Sequence, residues 1–277
     1  TMVAVRPELP AGQQGNKGNM WGRLQGEEIV INGQCSAWVS NGAVAQVALG
    51  YLSAEYEDGF FARDGNPYGM AVIIPLDLPG VSKGKPLEKI GQRALPQGEI
   101  YFDNVRVPKR FAVALKDDYY GNMTSAWSFA GTHMGQAFTG VARAGFEMAL
   151  QYCHERKQGG RTLIDHQLTR YRLGDMLRRV ELCRSVARRS LAYARLSPLT
   201  HPYVTAAGKV TVTQEAMRVV DEAFQLFGGA GTSREYPIEK LYRDARVALI
   251  EDGENTILTM RLGVLAQQLY AEGWSQT

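Results

Sequence analysis

Two patterns of apolar spacing divide this chain. From Thr1 to about Val113, apolar residues come in short runs bounded by glycine, proline and asparagine. Glu99 to Val107 (EIYFDNVRV) alternates until Pro108 closes it, the period-two mark of a half-buried strand. Gly69 to Pro75 (GMAVIIP) is a continuous apolar run between turn residues, consistent with a buried strand. Gly26-Glu27-Glu28 reads as a turn into Ile29-Val30-Ile31, Asn32-Gly33 as a hairpin signal, and Ala37 to Tyr51 as β-compatible. Many short strands with turn residues between them predict a small sandwich or barrel.

Around Tyr119 the pattern changes to helix. Met123 to Gln158 is one long segment rich in Ala, Met and Phe, broken at Gly159-Gly160. His166 to Arg195 is a second, with Leu168, Leu173, Met176, Leu177, Val180, Val186 and Leu191 at mixed three- and four-residue spacing. Ser197-Pro198 breaks it; Pro202 to Phe227 and Asn255 to Glu272 complete the set. Short connections between antiparallel helices predict a bundle. The expected fold class is α+β with segregated domains: a small β-barrel or sandwich over residues 1–113, then an antiparallel four-helix bundle over residues 114–277, with the boundary near residues 112–120.

Composition narrows the function classes. The chain has 277 residues, 45% hydrophobic and 21% charged, as an ordinary soluble protein would be, and is long enough for one or two cores. A net charge of +3 implies no polyanionic partner. Arginine is dense from Arg156 to Arg195, but helical spacing spreads it into a solvated or subunit-facing surface. Without an aromatic-interleaved basic platform, no nucleic-acid partner is expected. Cys35, Cys153 and Cys183 are too far apart for a metal motif, and an odd count argues against a full disulfide framework. No metal, reduced thiols and a cytoplasmic location are expected. No run of about 18 apolar residues predicts a membrane span, and the start shows no charged-apolar-small leader pattern.

The richest chemistry lies from Gln225 to Leu258. A helical segment stops at Gly228-Gly229, and a glycine-rich loop runs through Ala230, Gly231, Thr232 and Ser233. Tyr236-Pro237 opens a segment carrying Arg243, Asp244 and Arg246, since proline is tolerated in a helix's first turn. It ends at Glu251-Asp252-Gly253, so two acids sit at a glycine-marked break between helical segments. Free backbone amides at such a break bind an anion or a carbonyl oxygen, and a carboxylate facing a dry pocket there can abstract a proton. The bland alternative is that Glu251 and Asp252 only cap the next helix.

This stretch resembles the signature of flavin-dependent acyl-CoA dehydrogenases: Q-x-F-G-G-x-G, then Y-P-x-E-K-x-x-R-D, then Glu-Gly-Thr, here Asp252-Gly253-Glu254. Glu27 to Gly42 is similar to the family's middle-domain motif. Ile90-Gly91-Gln92-Arg93 and Phe102 to Pro108 match the end of that domain. Glu155-Arg156-Lys157-Gln158, followed by Gln167, matches a third motif, with Gly159 in place of the usual Phe. These motifs occur in order and at the right spacing along nearly the whole chain. Family members usually begin with a helical domain, whereas Thr1 corresponds to the start of the middle domain; that part is expected to be truncated or to lie on another polypeptide. Thr1 to Gly15 resembles the loop entering the middle domain, but Arg6 to Gln13 (RPELPAGQ) lacks its usual Thr, Ser and Asp.

The resemblance implies FAD-dependent α,β-dehydrogenation of an acyl-CoA thioester, an acid removing the α-proton while flavin N5 takes the β-hydride. The base position falls on Asp252, one methylene shorter than the usual Glu, with the longer Glu251 beside it. Some members place the base on the long helix, but Ser128 to Thr132 carries no carboxylate there, nor the arginine of many fatty acyl-CoA members. Burying the acid beside apolar Leu249 and Ile250 would raise its pKa. Trp38 and Ser40 resemble the pair that covers the isoalloxazine ring; the alternative is a core tryptophan in a strand. Arg156 resembles the arginine that holds the flavin pyrophosphate from a neighbouring subunit, with Gln167 nearby; the alternative is a surface arginine. Gln225, Gly228 and Gly229 match the segment contacting the adenosine portion, and also read as a helix C-cap. The implied partners are an electron-transferring flavoprotein and further subunits, usually a homotetramer built as a dimer of dimers, in lipid metabolism. Two other readings stand beside this one: a non-catalytic partner subunit of a hetero-oligomer, and a homologue acting on a carrier-protein-bound or ring-containing acyl group.

Overall fold

The computed structural model describes residues 1–6, 18–56, 69–196, 203–271 and 273. Residues 7–13 of the entering loop, the Ser197-Pro198 break, Pro202 and Glu272 lie outside the described residues. Contacts group the chain into two compact units, Thr1–Lys89 with Arg93–Ser125, and Ile90–Gln92 with Ala126–Thr277. Among the described residues, no helix is long and apolar enough to cross a membrane.

Among the described residues, the first unit is one mixed eight-stranded sheet formed by β1 (Met2–Val5), β2 (Met20–Gln25), β3 (Glu28–Gln34), β4 (Val47–Glu55), β5 (Gly69–Pro75), β6 (Val81–Lys83), β7 (Ile100–Pro108) and β8 (Ala112–Leu115). The strand order is β6-β7-β3-β2-β4-β5-β8. Parallel to β4, β1 pairs along one half of it (Met2↔Val47 to Val5↔Gly50) and β2 along the other (Trp21↔Ser53 to Arg23↔Glu55). Met20, Ile29, Ile31, Leu52, Met70, Val72, Ile74 and Ile100 are completely buried, the inward positions of alternating strands.

Two expectations fail here. The hairpin lies at Gly26-Glu27, where Gln25 pairs with Glu28, and β3 continues through Asn32-Gly33. Gly33 is required there by close approach: it has φ +102°, and a Cβ on it would stand 1.9 Å from the Asn19 carbonyl oxygen. Its bulge absorbs a register shift against β7, where Asn104 has φ +49° and donates its N–H to Asn32 Oδ1 at 2.9 Å. Of Ala37 to Tyr51, only the part from Val47 is strand. Before it the chain folds into turns, with the Gly42 N–H on the Val39 carbonyl at 3.0 Å and the Ala45 N–H on Asn41 at 2.9 Å.

The second unit contains most of α1 (Asp117–Glu155), then α2 (Gln167–Leu196), α3 (Tyr203–Phe227), α4 (Ile238–Ala248) and α5 (Asn255–Ala271). Four bundle helices were expected; five are present among the described residues, the additional one being α4, which starts after Pro237. α1 ends at Glu155, short of the predicted Gln158, because Lys157–Gln158 (β9) pairs with Arg161–Thr162 (β10) across Gly159-Gly160. Gly159 has φ +64°, a conformation that a phenylalanine would hold only with strain. The α2 stripe is narrower than expected: Leu173, Met176 and Val180 are buried, whereas Leu168 and Leu177 are exposed. They pack with Phe138, Ala142, Val212, Ala216, Val219, Phe227 and Ile238 in one core. In contrast, Ile257, Met260 and Val264 of α5 are exposed.

Candidate active site

The two acids of the 249–255 turn have different surroundings. α4 ends as the Ile250 and Glu251 N–H groups both reach the Val247 carbonyl, at 2.9 and 3.1 Å. Asp252 then takes φ +50° and Gly253 φ +101°, which reverses the chain and lets the Asn255 N–H donate to the Leu249 carbonyl at 3.0 Å. Glu251 is half-buried, and its Oε1 accepts a hydrogen bond from Gln92 Nε2. Asp252 is exposed and, among the described residues, accepts no hydrogen bond. Ile250 is 56% exposed, so it does not enclose the acid in apolar surroundings.

Neither Glu251 nor Asp252 caps α5 through its side chain; Glu254 does. Its carboxylate accepts the Ile257 N–H at 3.0 Å and the Thr256 hydroxyl at 3.0 Å. These backbone N–H groups, those of Thr256 and Ile257, hold the Glu254 carboxyl below its ordinary value. The third residue of the motif, Thr in the family, is thus a capping acid here.

The motif ahead of the turn fixes a distant segment. The Asp244 carboxylate accepts the Gln92 N–H and pairs with Lys240, while Arg243 donates to the Ile90 carbonyl at 2.5 Å and pairs with Glu239 at 2.7 Å. Gly91 has no room for a side chain, since a Cβ would stand 2.2 Å from the Arg243 carbonyl oxygen. Thus Ile90-Gly91-Gln92 is stapled to α4, and Gln92 in turn holds Glu251.

Trp38 and Ser40 occupy a turn of the sheet unit. Trp38 is 61% exposed and lies outside the strands, which removes the core-tryptophan alternative. The buried Gln97 holds this turn, donating from Nε2 to the Trp38 carbonyl at 3.0 Å, while Ser40, itself exposed, bridges to Gln97 through the backbone. Gly42 is needed for closure, as a Cβ there would stand 2.4 Å from the Gly98 carbonyl oxygen.

In the helical unit, Arg156 follows the end of α1 and Gln167 starts α2; both are exposed. The Arg156 backbone is fixed at both ends, its N–H on the Tyr152 carbonyl and its carbonyl on the Leu163 N–H, each at 2.8 Å. Among the described residues its guanidinium makes no ion pair. Gln225 is exposed on the last turn of α3. Gly228 ends that helix with φ +57°, the left-handed cap, and a Cβ on Gly228 or Gly229 would meet nothing within 4 Å. The C-cap role is therefore real, and the backbone here is open to close approach.

Sequence reasoning met Gln92 and Glu254 only as motif positions, without their anchoring roles, and passed over Gln97 and, above all, Lys209. Lys209 is 1% exposed on α3, and its ammonium donates to the Gly253 carbonyl at 2.7 Å and Asn255 Oδ1 at 2.8 Å. Burial lowers its pKa to about 8, against the opposing attraction of Asp252, Glu251 and Glu254. The available signal was a lysine in phase with Val212 and Ala216 on the buried face of α3.

A family model described as acyl-CoA dehydrogenase, C-terminal domain, matches residues 126–266. A probable acyl-CoA dehydrogenase of Bacillus subtilis (strain 168) is 32% identical over 248 residues, covering 88% of this chain and 62% of the relative. A cyclohexane-1-carbonyl-CoA dehydrogenase of Geobacter metallireducens is 30% identical over 256 residues, covering 89% and 62%. Butyryl-CoA dehydrogenase from Megasphaera elsdenii superposes with a TM-score of 0.84 at 24% identity, over 96% of this chain and 68% of that one. A glutaryl-CoA dehydrogenase from Mycobacterium smegmatis in complex with FADH2 gives 0.79 at 22%, over 94% and 64%. The structural matches establish a shared fold. The chain spans 62% of the length of these two curated relatives.

Proposed function

This chain belongs to the acyl-CoA dehydrogenase family, and we propose that it carries out α,β-dehydrogenation of an acyl-CoA thioester, with Asp252 as the base. The observation that carries this reading is the division of labour in the 249–255 turn. Gln92 engages Glu251 and Glu254 caps α5, which leaves Asp252 exposed and, among the described residues, with no side-chain hydrogen bond. A carboxylate so placed can accept the α-proton of a thioester, a contribution of about 10²–10⁴ in rate. The Asp252 N–H has no backbone acceptor among the described residues, as a donor to the thioester oxygen requires. Glu251 remains the second candidate, one residue away and longer.

The residues present fit FAD, which when bound supplies the acceptor for the hydride leaving the β-carbon. In the sheet unit, Trp38 offers an uncovered indole face and Ser40 an exposed hydroxyl. In the helical unit, Arg156 would hold a phosphate, Gln167 would stand near it, and Gln225, Gly228 and Gly229 would admit the adenosine portion to an open backbone. Residues 1–113 are read as the flavin- and substrate-facing domain, a small barrel, and residues 114–277 as the helical bundle. The same reading includes an electron-transferring flavoprotein as acceptor, a homo-oligomer built as a dimer of dimers, and a cytoplasmic location.

The test is the visible spectrum of the purified full-length protein, followed by anaerobic addition of straight-chain, branched and cyclohexane-carbonyl CoA thioesters. A flavin band that one thioester bleaches is the expected result. A flavin that no thioester bleaches would overturn the reading, and a colourless chain that acquires flavin only with a second polypeptide would assign it the partner-subunit role.

A further inference from the structure

Among the described residues, Lys209 is the largest side chain that is almost completely buried. A buried ammonium is strongly disfavoured unless hydrogen bonds replace its water. Both bonds described above lead to the turn that carries the acids. A ring of contacts completes the arrangement. Asn255, itself buried, donates from Nδ2 to Thr213 Oγ1 at 3.0 Å, and the Thr213 hydroxyl donates back to the Lys209 carbonyl at 2.9 Å. α1 closes over the lysine through Gly131, whose Cβ position lies 3.7 Å from Lys209 Cβ. The charged groups acting on the ammonium are Asp252, Glu251 and Glu254, with none of which it forms a contact ion pair among the described residues. The charge is thus used on a neutral carbonyl and a neutral amide, both beside Asp252.

We propose that Lys209 is the positioning residue of the base: by holding the Gly253 carbonyl and the Asn255 side chain from inside the helical unit, it fixes the left-handed Asp252 backbone that presents the carboxylate outward. The proposal rests on the reading of this turn as the base-bearing one, and extends it to a residue that need not touch substrate. Mispositioning a reacting group by about 1 Å can cost on the order of 10²-fold in rate, so loss of this anchor acts on the chemical step more than on thioester binding.

The test is Lys209→Met in the full-length holoprotein, with two readouts. Amide hydrogen exchange reads the anchor without any activity: residues 249–258 should exchange at least about tenfold faster, with α1 and α2 unchanged. Anaerobic flavin reduction reads the consequence. The limiting rate should fall about a hundredfold with half-saturation by the thioester unchanged, and the native rate should decline as Lys209 loses its proton near pH 8, a step that the variant lacks. Native exchange over 249–258, or a native limiting rate with a native alkaline limb, would overturn the proposal. Should Lys209→Met fail to fold, Asn255→Ala, which removes one of the two acceptors, must show the same local exchange and the same selective loss of limiting rate, or the proposal fails. Asp252→Asn and Glu251→Gln separate the two claims. If both reduce flavin at the native rate, the base assignment falls, while the exchange arm still decides whether Lys209 holds the turn.

Discussion

Both candidate turns contain a non-glycine residue in the left-handed region, Asp252 at φ +50° and Asn41 at φ +60°. The sheet unit's turn is tied down by a neutral amide, Gln97, whose own oxygen accepts Lys89 Nζ at 2.8 Å. The helical unit's turn is tied down by a buried ammonium with three carboxylates acting on it. A neutral anchor fixes shape without itself changing charge. A charged anchor couples shape to protonation, which suits the turn proposed to carry the base and is unnecessary for one that presents an indole face.

The largest effect that would sharpen this contrast is chemical. Asp252→Asn should lower flavin reduction about 10²–10⁴-fold while flavin stays bound, whereas Glu251→Gln should lower it less than about tenfold. Stopped-flow absorbance checks both, and the reverse ranking would move the base to Glu251. Next is pH. The folded state holds the Lys209 proton less tightly than the unfolded chain does, releasing it near pH 8 instead of about 10.4. Between those values the unfolded chain binds more protons, so this site adds stability as pH rises, and the gain is lost again as pH falls through 8. The slope cannot exceed about 1.4 kcal/mol per pH unit. Equilibrium denaturation of native protein against Lys209→Met should show the difference, and identical slopes would deny the charged anchor.

Smaller effects belong to the sheet unit. Gln97→Ala leaves the Trp38 carbonyl without its donor and should cost about 1–3 kcal/mol, equally at pH 7 and pH 9. Trp38→Ala removes an exposed side chain and should change stability by less than about 0.5 kcal/mol. Its flavin affinity should nevertheless fall about tenfold, as loss of a stacking face does. A large loss of stability in Trp38→Ala would mean that the indole supports the fold instead of a ligand.

Local periodicity made much of the architecture legible. The run Gly69 to Pro75 coincides with β5, the alternation up to Pro108 with β7, and Pro237 with the start of α4. The misses are long-range. Asn-Gly at Gly33 reads as a turn; its real constraint is the Asn19 carbonyl just before the neighbouring strand β2. Gln92 lies 159 positions from Glu251, and Lys209 lies 44 from Gly253, so no local spacing connects either pair. The candidate residues stood out because they sit on glycine-marked turns. Their anchors did not, because a lysine on a helix or a glutamine in a loop reads as surface until its partners are known.

The most direct test of the central claim is α-proton exchange, which reads proton abstraction without requiring hydride transfer. The native holoprotein, held anaerobically in D2O with a thioester whose β-position cannot be oxidised, should exchange the α-hydrogen for deuterium, and Asp252→Asn should not. Exchange by Asp252→Asn at the native rate would contradict the account and remove Asp252 from the chemistry.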